Sequence, residues 1–206
     1  MLKNAVAGFA SLCLVLYVLP SYAEELSVME ADAVQGYGQY LSDKFTKIEG
    51  HQVKVEPDLA AASGLVLGGE GIILVPTKID ENGDTSALET ESGGPLAYLF
   101  LSPRFNPLAS GSKIDAKKLR TVEYEDDGES KEATCLILAL RHVEGDDWRL
   151  YVYGSEKEPV LEAKFAEAEQ VKDKNLAFHV KDVKDGKGTL VVTVLKKYEA
   201  SFAIGH

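Results

Sequence analysis

The stretch "TCLILALRH", residues 134–142, is apolar at both of its alternations, which is how a fully buried strand reads. Cys135 inside it reads as a small buried hydrophobe, the usual role of a free cysteine. Shortly after it, "WRLYVYG", residues 148–154, alternates instead: Trp148, Leu150 and Val152 point one way, Arg149, Tyr151 and Tyr153 the other. The link between the two, "EGDD" at 144–147, has hairpin length and a glycine where positive φ is wanted. A buried strand hairpinned to an alternating one begins an antiparallel meander.

The same signature recurs on both sides. Short β-branched and aromatic runs broken by Gly, Pro and acidic turns place strands near 52–56, 71–79, 96–102, 121–125, 133–143, 148–153, 160–166, 176–183 and 189–204. "KDGKG" at 184–188 is a second hairpin turn. In "YEASFAI", Tyr198, Ala200, Phe202 and Ile204 share one face, so that segment is half buried. Residues 102–120 form the longest stretch without a structural pattern.

Ahead of the strands lies one helical pattern, about 27–49. Val34, Tyr37, Leu41, Phe45 and Ile48 recur at three- and four-residue steps and form one apolar stripe. Ser27 and Glu30 have the spacing of a capping box. Gly36 and Gly38 each cost such a helix about 1 kcal/mol relative to alanine, so it depends on docking against a sheet. The fold class that follows is mainly β: an antiparallel β-sandwich or strongly curved sheet with one N-terminal amphipathic helix packed on it.

The chain opens with Lys3, an uncharged run at 5–19, Pro20, and Ser21 and Ala23 ahead of two acids. This is the anatomy of a secretory signal peptide over 1–23, since the apolar run falls short of the roughly 20 residues that cross a bilayer as a helix. Residues 24–206 are expected to form a single domain, secreted or periplasmic, with no transmembrane segment after cleavage. Asp and Glu number 33 against 22 Lys and Arg, a net charge of −11. Such a surface repels phosphate backbones, which argues against nucleic acid as a partner. Of the two cysteines, Cys13 lies in the leader, leaving Cys135 alone and no internal disulfide.

Chemistry is harder to find. No G-x-S-x-G occurs, and Cys135 sits mid-strand. His51, His142, His179 and His206 are scattered without metal spacing. The glycine-rich "SGLVLGGEG", 63–71, lacks the Lys and Ser/Thr of a phosphate loop and reads as a turn between strands. Two weaker candidates remain. In "DENGDTSALETE", 80–91, Asp80, Asn82, Asp84, the Ser86 carbonyl and Glu91 have the spacing of calcium ligands. Thr85, however, stands where that loop needs glycine, a strand-like run with Pro76 precedes it, and Asn82-Gly83 alone accounts for a tight turn. The turn reading is preferred, with calcium as its rival and no other cofactor. The second candidate is Arg149, Tyr151 and Tyr153, a polar aromatic strip that either binds a ligand or packs beneath the helix. The expected function is an exported, non-catalytic binding or cell-envelope interaction module of unknown ligand. Its alternative is a secreted hydrolase with acid and base residues dispersed on loops.

Overall fold

A computed structural model describes residues 26–48, 50–51, 53–78, 90–169, 173–184 and 186–205. The leader, four of the five calcium candidates (Asp80, Asn82, Asp84, Ser86) and His206 lie outside the described residues. The helix is α1 (Ala31–Phe45), and the strands are β1 (Ser27–Val28), β2 (Ser63–Leu67), β3 (Glu70–Pro76), β4 (Gly94–Leu101), β5 (Pro107–Ala109), β6 (Ser112–Lys113), β7 (Arg120–Asp126), β8 (Glu129–Glu144), β9 (Asp147–Tyr153), β10 (Leu161–Lys164), β11 (Ala166–Glu167), β12 (Leu176–Lys184), β13 (Lys187–Val194) and β14 (Tyr198–Gly205).

They form two antiparallel sheets. The first runs β1-β2-β3-β4-β8-β9-β10, with β7 also paired to β8; the second runs β12-β13-β14-β5-β6, with β11 also paired to β14. Alternation along the strands builds two cores, one on each face of the first sheet. On one face Leu74, Leu99, Leu136, Leu138, Leu150 and Val152 meet Leu190, Val192, Phe202 and Ile204 of the second sheet. Their neighbours Ile73, Val75, Tyr98, Phe100, Ile137 and Tyr153 point the other way and pack with Val34, Leu41 and Phe45 of α1. The first sheet is thus the middle layer between the helix and the second sheet. That is why β8 is apolar at both alternations.

Several sequence expectations are corrected. The helix does not span 27–49: Ser27 and Val28 pair with Val66 and Leu65 as β1, and Glu30 caps α1 without a side-chain hydrogen bond. The Ser27 hydroxyl donates to the Val66 carbonyl, so the capping box is replaced by sheet pairing. No strand forms over 53–56; this segment lies across the first sheet with Val53 and Val55 buried against it, joined to it by the Pro57–Thr77 bridge. In "SGLVLGGEG" the first five residues are a strand, and Gly68-Gly69, both at positive φ, turn it into β3. The stretch 102–120 holds β5, β6 and two short 3-10 turns. The run 189–204 is two strands reversed at Leu195 and Lys196, which have φ of 50° and 68°.

Candidate functional site

β8 is long enough to serve several partners at once. On one side it pairs with β7 through residues 129–135 and with β9 through 137–144; on the other, β4 covers only 134–140. β4 ends at Leu101, opposite Thr134. Beyond that point the β7–β8 hairpin and the β2–β3 hairpin continue separately, leaving a gap that α1 crosses. The gap is a cleft of about 270 Å³. Its walls are apolar, with Met29, Leu41, Val66, Ile73, Phe100 and Ala133, and its polar groups are Tyr37, Ser102, Tyr124, Asp126 and Asp127.

The β7–β8 turn places these acids. Asp127 and Gly128 both have positive φ between the paired residues Asp126 and Glu129, the two-residue turn that Asp-Gly favours. At the end of β7, Asp126 meets the helix: one oxygen accepts from the Tyr37 hydroxyl at 2.5 Å, the other from Lys131 Nζ at 2.6 Å. The bond to Asp126, together with burial, pushes the Tyr37 pKa up to about 12. Lys131 and then Tyr37 hold the Asp126 carboxyl below its ordinary range. The Tyr124 ring meets Tyr37 edge to face at 6.3 Å. Chemically, this is a strut. A phenol kept protonated donates but cannot act as a base at neutral pH, and Asp126 has both oxygens engaged.

Elsewhere the sequence candidates are placed as follows. Tyr151 and Tyr153 are buried on the helix side of the first sheet. The Tyr151 hydroxyl accepts from Arg141 at 2.9 Å, and Tyr153 donates to the Ser92 carbonyl at 3.0 Å. Arg149 is ion-paired with Asp147 at 2.7 Å and with Glu162. The three therefore do not meet on an open face. Glu91 lies in a turn where its carbonyl accepts from Arg141. Among the described residues, no group of three or more His, Cys, Asp or Glu side chains could hold a metal ion. His51 sits against Phe45 and Arg120, its pKa lowered by burial, while His142 stacks on Trp148. Cys135 is fully buried, and burial pushes its thiol well up.

No protein-family model, curated protein or solved structure matches the chain. The cleft stands on its own geometry. Sequence reasoning assigned Tyr37 to packing and passed over Asp126 and Asp127. The available signals were the glycines on both sides of Tyr37 and the Asp-Gly turn in "EDDG".

Proposed function

We propose that the protein is an exported, non-catalytic binding module that takes an apolar group of its ligand into the cleft beneath α1. Export is supported by the leader pattern over 1–23. Binding is supported by one observation above all: an apolar cleft, opened by the divergence of two hairpins, with a few polar groups among its lining residues. That is the usual composition of a ligand site. Its volume of about 270 Å³ falls just under the range of roughly 300–1,000 Å³ for sites that enclose a whole small molecule. It suits an anchor group belonging to a larger ligand. A hydrolase reading would need histidine or arginine converging with acids in the cleft, and neither is among its described lining residues.

The test uses the neutral fluorophore N-phenyl-1-naphthylamine. Gly71 lines the cleft, and a Cβ added there meets nothing nearer than the Leu65 carbonyl oxygen at 3.5 Å, so Gly71→Leu can fill the space. Wild type is expected to bind the probe saturably, and Gly71→Leu to bind it about tenfold more weakly with a urea midpoint no lower than that of wild type. Equal binding by the two proteins would place the apolar site elsewhere.

A further inference from the structure

Beside the cleft, and sharing Tyr37 with it, runs an open groove between α1 and β7 lined by Ala33, Gly36, Tyr37, Tyr40 and Glu125. Its floor contains the unexplained glycine of the helix. Gly38 has a packing reason, because a Cβ there would stand 3.2 Å from Val75 Cγ2, a tight contact. Gly36 has no such reason: a Cβ there would meet nothing within 4 Å. The helix therefore bears about 1 kcal/mol for space that nothing among the described residues fills. Two tyrosine rings flank that space, and Tyr40 is 42% exposed. The Lys44 ammonium lies 4.8 Å from the Tyr40 ring centroid and donates to the Glu123 carbonyl, so that ring already carries a cation of the protein's own and the open part of the groove is at Gly36 and Tyr37.

Charge selects the occupant. Asp126 is neutralised by Lys131 and Lys44 adds one positive charge at Tyr40, but Asp127 at the cleft and Glu125 at the groove outnumber it on a protein of net charge −11. We infer that the occupant is a basic peptide segment of a partner protein, with an apolar side chain in the cleft and an arginine or lysine in the open groove at Gly36 and Tyr37, beside Glu125. An extended chain fits because the two concavities adjoin across a single side chain. Such a ligand gains by burying its anchor in the cleft and by placing its cation beside an acidic groove residue. The inference rests on the reading of the cleft as a binding site and adds to it the identity of the partner.

The probes are three capped tripeptides, acetyl-Phe-Ser-Arg-amide, acetyl-Phe-Ser-Glu-amide and acetyl-Ser-Ser-Arg-amide, titrated into ¹⁵N-labelled protein while the amide resonances are followed. The Phe/Arg peptide should shift Gly36, Tyr37, Tyr40, Gly71 and Asp127 saturably, and both other peptides should bind about tenfold more weakly. Raising ionic strength from about 0.05 to about 0.5 M should weaken the Phe/Arg peptide most. Glu125→Gln should narrow the gap in affinity between the Arg and Glu peptides while leaving the shift at saturation of Gly71 unchanged. Equal binding of the Phe/Arg and Phe/Glu peptides would overturn the basic partner while leaving the apolar site intact. Failure of every peptide to shift the cleft and groove resonances would overturn this inference, and failure of the neutral fluorophore as well would overturn the site itself.

Discussion

The two helix glycines allow one substitution to be tested in two environments. Replacing glycine by alanine inside a helix gains about 1 kcal/mol, mainly by restricting the unfolded chain. At Gly36 the added methyl meets nothing within 4 Å, so that gain should be realised in full. For a domain of this size it raises Tm by about 2–4 °C. At Gly38 the methyl would stand 3.2 Å from Val75 Cγ2 and 3.6 Å from Leu59 Cδ2. Val75 is fully buried in β3 and cannot move aside freely. Overpacking of this kind costs about 1–3 kcal/mol, so Gly38→Ala should come out neutral to about 2 kcal/mol destabilised. Because both variants change the unfolded chain alike, their difference isolates the packing of α1 on β3. Urea unfolding followed by far-UV circular dichroism, with equal m-values for the two variants, would measure it. If Gly38→Ala stabilises as much as Gly36→Ala, α1 is not docked on β3 through Gly38 and the helix-side core is misread.

Two further outcomes follow from the same geometry. With its pKa raised from 10.0 to about 12, Tyr37 contributes stability that is complete below pH 10 and is lost as pH rises through about 12. Two pKa units correspond to about 2.7 kcal/mol, and partial solvation of the Asp126–Lys131 pair reduces this to about 1 kcal/mol. Tyr37→Phe should therefore be less stable than wild type at neutral pH, with the gap closing between pH 10 and 12; a gap that stays constant across that range would break the link to Asp126. In the β13–β14 turn, Leu195 and Lys196 hold left-handed φ values that cost non-glycine residues about 1–2 kcal/mol each. The double change Leu195→Asn, Lys196→Gly should raise the urea midpoint, equivalent to about 1 kcal/mol, and an unchanged midpoint would mean the turn is relaxed as it stands.

The sequence by itself determined that one strand is covered on both faces and that a helix docks on a sheet, with a sandwich and a strongly curved sheet both still open. Residues 134–142, apolar at both alternations, already required a strand covered on both faces; 148–153 required alternate residues to point to opposite faces; and the 34-37-41-45 stripe required a helix lying on a sheet. These are consequences of local period, which each segment carries alone. Tertiary structure decided what depends on partners. Ser27 became a strand residue because β2 offered backbone hydrogen bonds that outweighed a local cap, and residues 107–109 became one because β14 lay beside them. The cleft has the same origin. It exists because β4 stops at Leu101 while β8 extends back to Glu129, a mismatch of strand lengths between segments far apart in the chain. Tyr37 and Asp126, 89 positions apart, share no periodicity that could have announced their bond, since only the register of two hairpins and the docking of α1 brings them together.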